Sequence, residues 1–184
     1  MIGIFCKLTG NIPRLEFLNS YHIKDMETLN KILEGGPVSF FNIRHPFERL
    51  VSRYLDAQKH DQDLGPFEKF ITEEVLMRAN SSKNKMALSE MEPHTRPFNS
   101  YCAFCNINYS VVSKMETFNE DKSRIMEILG QENEQEKRIR VSGGDGIQDW
   151  TKILFKNITE NDKIALVDLY KYDFMMFHYD PYLY

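Results

Sequence analysis

Arg44 and Ser52 stand eight residues apart, the first just after a short apolar run and the second inside the amphipathic stretch that follows. An arginine supplies a planar cation whose paired N–H donors match two oxygens of one phosphate or sulfate. A serine hydroxyl donates to a third oxygen. The chemistry is anion holding, and it requires the two side chains to converge. Residues 38 to 43 read as a buried strand, being short, apolar and bounded by a Gly-Gly-Pro turn. Pro46 suits the first position of a helix, where its missing N–H costs little. Phe47, Leu50, Val51, Tyr54 and Leu55 then fall at helical spacing as one apolar stripe, with Glu48, Arg49, Arg53 and Asp56 on the other side. Arg44 is therefore expected where a strand gives way to a helix, and Ser52 on the flank of that helix, about two turns along. Helix N-termini attract anions, and ligands of open parallel sheets sit beyond the carboxyl ends of strands. The competing reading pairs Arg44 with Glu48 and leaves Ser52 as a solvated helix residue.

The rest of the chain bounds these readings. A length of 184 residues suits one domain with a real core, 1–184. The 42% hydrophobic and 27% charged content is ordinary for a globular protein. A net charge of −4 gives no reason to expect nucleic acid as a partner, so an anionic ligand must meet a local basic site. No apolar run approaches the ~20 residues of a bilayer span, and the apolar stretch at the start is too short for a signal peptide. The sequons Asn80-Ser-Ser, Asn108-Tyr-Ser and Asn157-Ile-Thr mildly favour a secretory compartment.

Other elements follow from local pattern. Residues 14 to 34 read as a weak helix ending at the Gly35-Gly36-Pro37 stop. Pro66 and Phe67 open a short helix, residues 79 to 100 read as irregular, and residues 109 to 115 form a second strand candidate. A helix over 119–129 is stopped by Gly130. Residues 131 to 146 read as a solvated loop. Thr159 to Asp162 resemble a capping box ahead of an apolar helix over 164–177. Strands alternating with helices predict an α/β fold with a small parallel sheet flanked by helices.

The stretch "RHPFERLVSRY" resembles the 3′-phosphate-binding signature of the carbohydrate sulfotransferases, Arg-Asp/Glu-Pro-Phe-Glu-Arg-Leu-Val-Ser-x-Tyr. "EPHTRPFNSYCAFCNINYSVVSKMETFNED", "RIMEILG" and "LVDLYKYDFMMFHYD" follow in the order in which the chondroitin 4-O-sulfotransferase and HNK-1 sulfotransferase type carries its later motifs. The resemblance covers the chain from about residue 38 onward. It implies a P-loop-like PAPS sulfotransferase fold in which Arg44 and Ser52 bind the 3′-phosphate of PAPS, the sulfate donor, with no metal. It also implies an acceptor that is a glycosaminoglycan of chondroitin or dermatan type, or another glycan, and residence at the Golgi membrane on the lumenal side. A catalytically inactive relative that binds nucleotide or glycan, or assists a partner, is the alternative. The family's 5′-phosphosulfate loop, Pro-Lys-x-x-x-Thr, has no counterpart in the sequence, and Lys7 is not assigned to that role. The expectation is an N-terminally truncated domain whose loop and membrane anchor lie upstream of Met1. Further departures are His45 for the acid before proline, Thr95 for tryptophan, Ser110 for aspartate and His178 for glycine.

Transfer to a sugar hydroxyl needs a base. His22, at the distance upstream of Arg44 where hexuronyl 2-O-sulfotransferases carry theirs, and His94, in a family motif, are the candidates. A surface role for His22 and a buried, hydrogen-bonded role for His94 are the alternatives. His45 fits a neutral, helix-starting role. Glu116, Thr117 and Asp121 belong to a family motif, yet equally suit the start of a helix. His94, Cys102 and Cys105 make only three zinc ligands where a structural zinc takes four. In the lumen that the family implies, a disulfide is the expected fate, with its pairing among Cys6, Cys102 and Cys105 open. Trp150 and the aromatic C-terminal residues suit core packing better than sugar stacking.

Overall fold

A computed structural model describes residues 40–80, 88, 91–100, 111–119 and 146–184. Strand β1, Phe40–Ile43, runs parallel to β2, Val111–Lys114, in the register Phe40↔Val111 to Ile43↔Lys114. The Ser113 hydroxyl donates to Asn42 Oδ1 across the pair at 2.7 Å, and Met115 N–H continues the ladder to the Ile43 carbonyl at 2.8 Å. Helix α1, Pro46–Lys59, leaves the carboxyl end of β1. A short α2, Phe67–Lys69, continues through a π-helical stretch, Phe70–Met77, into α3, Arg78–Asn80. Helices α4, Ile147–Phe155, α5, Glu160–Leu169, and α6, Lys171–Phe177, complete the described elements. This is the expected α/β arrangement, a small parallel sheet with helices around it.

The apolar stripe of α1 is the centre of the core. Phe47, Leu50, Val51 and Tyr54 pack with Phe67, Phe70, Ile71 and Val75, and with Ile147, Phe155, Leu166, Tyr170 and Phe174. The Phe47 and Phe155 rings stack with centroids 4.6 Å apart, which ties α4 to α1. Burying side chains of this size stabilises by about 1.5–3 kcal/mol each.

Several expectations change in the structure. The helix foreseen over 164–177 is two helices, because the chain turns at Tyr170, whose hydroxyl donates to the Thr95 carbonyl. The capping box forms in half: Thr159 Oγ1 accepts from Asp162 N–H at 3.2 Å and donates to the Asp162 carboxylate at 2.7 Å. Helix α4 begins right behind the stretch taken for loop, with Ile147, Trp150, Leu154 and Phe155 at helical spacing. Trp150 lies on its outer face, 50% exposed rather than packed in the core. Glu48 and Arg49, expected on the polar side of α1, are 2% and 9% exposed, since the C-terminal residues and the 91–100 segment cover that side. The candidate helix over 14–34 lies outside the described residues, as does nearly all of that over 119–129.

The two histidines that replace family residues have local explanations. His45 caps α1: its Nδ1 accepts from Phe47 N–H at 3.2 Å, so the proton sits on Nε2 and is donated to the Asp180 carbonyl at 3.0 Å. A neutral imidazole thus caps the helix. His178 ends α6 with φ 54° and ψ 46°, the left-handed region where glycine is unstrained. His178→Gly is expected to raise the unfolding free energy by about 1 kcal/mol, read by urea denaturation. Burial holds the His45 imidazole below its ordinary pKa. Its contribution is therefore fully present above the unfolded value of 6.5 and is lost as pH falls through the lower folded value. His45→Asn, a cap that does not titrate, is expected to flatten the fall of stability below pH 6.5, measured as the difference in slope between variant and wild type.

Candidate anion-binding site

The junction of β1 and α1 opens on a cavity of about 360 Å³. Asn42, Arg44, Arg49, Ser52, Arg53, Lys59 and His94 line it, with Asp56 as the acidic member and Phe98 as an aromatic wall. Arg44, Ser52 and His94, singled out from sequence, are therefore brought to one basin. His22, Asp121 and the three cysteines lie outside the described residues.

Arg44 is half-buried. Burial pulls its guanidinium below the usual range, while Glu48, Glu116 and Tyr179 act in the opposite direction. Arg44 lines the cavity and also stands in the field of Glu48. The remaining cations come from α1, where Arg49, Ser52, Arg53, Asp56 and Lys59 recur at helical spacing along the cavity side. Arg53 is held by Glu92, Nε to Oε2 at 3.4 Å, and by Gln62 at 3.0 Å.

His94 comes from a turn on the far wall, its side chain 72% exposed. Its Nδ1 meets Glu92 Oε1, and its backbone N–H donates to Glu92 Oε2 at 3.0 Å. A carboxylate facing Nδ1 places the proton there and leaves the Nε2 lone pair available as a base. Sequence reading missed Glu92. The Glu-Pro-His spacing was visible, but nothing in it said that a carboxylate two residues back would turn onto the ring.

Arg49 and Asp173 fix that wall. Asp173 is fully buried and accepts from the backbone N–H groups of Phe98 at 2.7 Å and Asn99 at 3.0 Å. Burial pushes its carboxyl up to about 6, against the pull of Arg49 and the two N–H groups. Arg49 Nη2 donates to the Arg96 carbonyl at 2.6 Å and lies 3.7 Å from Asp173. Its Nε and Nη1 have no hydrogen-bond partner among the described residues; the Phe98 ring, 3.9 Å from the guanidinium carbon, covers them instead. The Tyr-x-x-Asp-Phe motif near the C-terminus is thereby joined to the arginine-rich helix. Glu116 also gains a role. It accepts from His45 N–H at 2.7 Å and from the Tyr179 hydroxyl at 2.9 Å, joining the end of β2 to the start of α1 and to the C-terminal residues.

A parallel strand pair, a helix that begins where one strand ends, and a basin lined by several cations at that junction make an α/β protein with its cavity where ligands of open parallel sheets sit. The sequence comparison says which kind: the Sulfotransferase family pattern matches residues 5–180, and the chain belongs to that family. Carbohydrate sulfotransferase 11 of Mus musculus is 28% identical over 190 residues, covering 90% of this chain and 52% of the relative. Carbohydrate sulfotransferase 11 of Danio rerio is 26% identical, with 92% and 54% covered. Carbohydrate sulfotransferase 9 of Homo sapiens is 25% identical, with 74% and 36% covered. The chain spans about half the length of the first two. No solved structure matches it. Among the described residues no helix is long and apolar enough to cross a membrane.

Asp173→Asn leaves Arg49 without its charge partner and sets an amide N–H₂ against a backbone donor. Unfolding free energy is expected to fall by about 3 kcal/mol, measured by urea denaturation.

Proposed function

We propose that the chain is the catalytic domain of a carbohydrate O-sulfotransferase that uses PAPS and transfers sulfate to a hydroxyl of a glycosaminoglycan, of chondroitin or dermatan type, or of another glycan. The observation that carries this reading is the convergence of Arg44 and Ser52, from a family signature, on one cationic cavity with His94 opposite. The residues present fit the nucleotide. Arg44 holds the 3′-phosphate through paired N–H donors, and Ser52 donates to it from the helix flank. Arg53 and Lys59 extend positive charge along the same side. Bound PAPS supplies the sulfuryl group. His94, with Nδ1 held by Glu92, takes the proton of the acceptor hydroxyl at Nε2; His22 is the other candidate for that role. The acceptor lies across the cavity, with alignment of the two substrates as the main contribution of the fold. A main core cluster shared by α1, α2, α4, α5 and α6 supports a single domain, and the family relation supports work in the Golgi lumen.

A second reading is a relative that binds nucleotide or glycan without transferring sulfate. The two separate in one experiment, transfer of labelled sulfate from PAPS to desulfated chondroitin measured beside 3′,5′-ADP binding. Transfer supports the enzyme; binding without transfer supports the alternative. Arg44→Ala is expected to weaken 3′,5′-ADP binding about 30-fold, the loss of a charged hydrogen-bond pair of about 2 kcal/mol. Unchanged affinity in calorimetry would overturn the assignment of Arg44. Ser52→Ala is expected to cost roughly tenfold.

A further inference from the structure

Glu92 does not line the cavity, yet it holds two residues that do. Its Oε1 meets Nδ1 of His94, and its Oε2 accepts the His94 backbone N–H at 3.0 Å. The same Oε2 lies 3.4 Å from Nε of Arg53, which reaches across from α1. Arg53 is held a second time by Gln62, Nη2 to Oε1 at 3.0 Å.

The carboxylate is placed by its own backbone. The Glu92 carbonyl accepts from the N–H groups of Thr95 at 2.9 Å and Arg96 at 3.2 Å, and from the Thr95 hydroxyl at 2.9 Å. Met91 and Thr95, at either side of this turn, are each 1% exposed. The His94 side chain is 72% exposed, and among the described residues Glu92 is the only hydrogen-bond partner of its ring. Which ring nitrogen carries the proton is set by the bond that the other makes, so it depends here on one carboxylate. Arg53 is in the opposite condition. An arginine grips a phosphate through paired N–H donors along one edge. The Nε–Nη2 edge of Arg53 is turned to Glu92 and Gln62 instead. The side chains of Arg53 and Glu92 are 18% and 33% exposed, so water screens their attraction less than it would on an open surface.

The geometry points to Glu92 as a positioning residue with two opposed effects on one cavity: it keeps the His94 proton at Nδ1, and it answers the charge of Arg53, so that this arginine is not a direct ligand of the nucleotide's phosphates. The inference rests on the reading of the cavity as the nucleotide site with His94 as base.

The test uses the full chain as wild type, Glu92→Ala, Arg53→Met and the double variant. ¹⁵N NMR of the neutral His94 ring, assigned by loss of its signals in His94→Gln, reports which nitrogen is protonated. Calorimetry gives the Kd for 3′,5′-ADP, and transfer from PAPS to desulfated chondroitin gives kcat and KM. The proton is expected at Nδ1 in wild type and Arg53→Met, and at Nε2 in Glu92→Ala. Glu92→Ala is expected to tighten 3′,5′-ADP binding about threefold and Arg53→Met to weaken it about threefold, with the double variant back at the wild-type Kd. In Glu92→Ala kcat is expected to fall at least tenfold while the KM for PAPS does not rise. A merely structural glutamate would lose binding and transfer together. A proton at Nε2 in wild type, an unchanged ring in Glu92→Ala, or a double variant as weak as Arg53→Met alone overturns the inference. If wild type fails to bind 3′,5′-ADP, the nucleotide reading falls and the masking of Arg53 with it, whereas the ring signals still decide whether Glu92 sets His94. If His94→Gln transfers sulfate at the wild-type rate, His94 is not the base, and the ring signals and Kd values still decide what Glu92 holds.

Discussion

A cation at the point where a parallel strand ends and a helix begins has to be partly stripped of water, and the charge must still face outward. Burial alone disfavours a guanidinium there. Around Arg44 the cost is offset by carboxylates from α1 and from the end of β2, and these are themselves held by hydroxyls and a backbone N–H. The arrangement joins β1, β2, α1 and the C-terminal residues through one small polar cluster. It also explains why a single motif in the sequence is insufficient. The signature supplies Arg44, Glu48 and Ser52, while the groups that balance their charge come from residues 116 and 179 to 184.

The opposite wall of the cavity depends on a second buried charge. Asp173 meets the backbone N–H groups of Phe98 and Asn99 and faces Arg49, while Arg49 and Tyr170 donate to the carbonyls of Arg96 and Thr95, so the segment that carries His94 is tied to the helices behind it. Buried pairs of this kind add little net stability, but losing one partner is costly because the other remains uncompensated. Their usefulness here is geometric. The distance across the cavity is set by packed elements, Phe98 against Arg49 and Tyr170 against Thr95, rather than by a free loop.

Departures from the family pattern are absorbed locally. His45 caps α1 through Nδ1 and uses Nε2 to fasten the chain at Asp180, a second bond that an aspartate has no proton to make. Thr95, where the family has tryptophan, is 1% exposed, and its hydroxyl donates to the Glu92 carbonyl within its own turn. His178 keeps the left-handed conformation that explains the family's glycine.

Local pattern made β1, α1 and the start of β2 legible, because a turn-bounded apolar run and a 3.6-residue stripe report directly on which backbone buries which face. Four ordered motifs made the family legible as well, and with it the candidate residues Arg44, Ser52 and His94, which the fold brings to one cavity. The sequence had no means of showing that Glu48 and Arg49 are buried, because a helix has a polar side only until another segment covers it. Nor did it show the Glu92 carboxylate turned onto His94, the break at Tyr170, or the two C-terminal tyrosines on the carboxylates beside Arg44. Those contacts join residues 63 to 136 positions apart, or depend on side-chain direction, and were decided only when the helices packed.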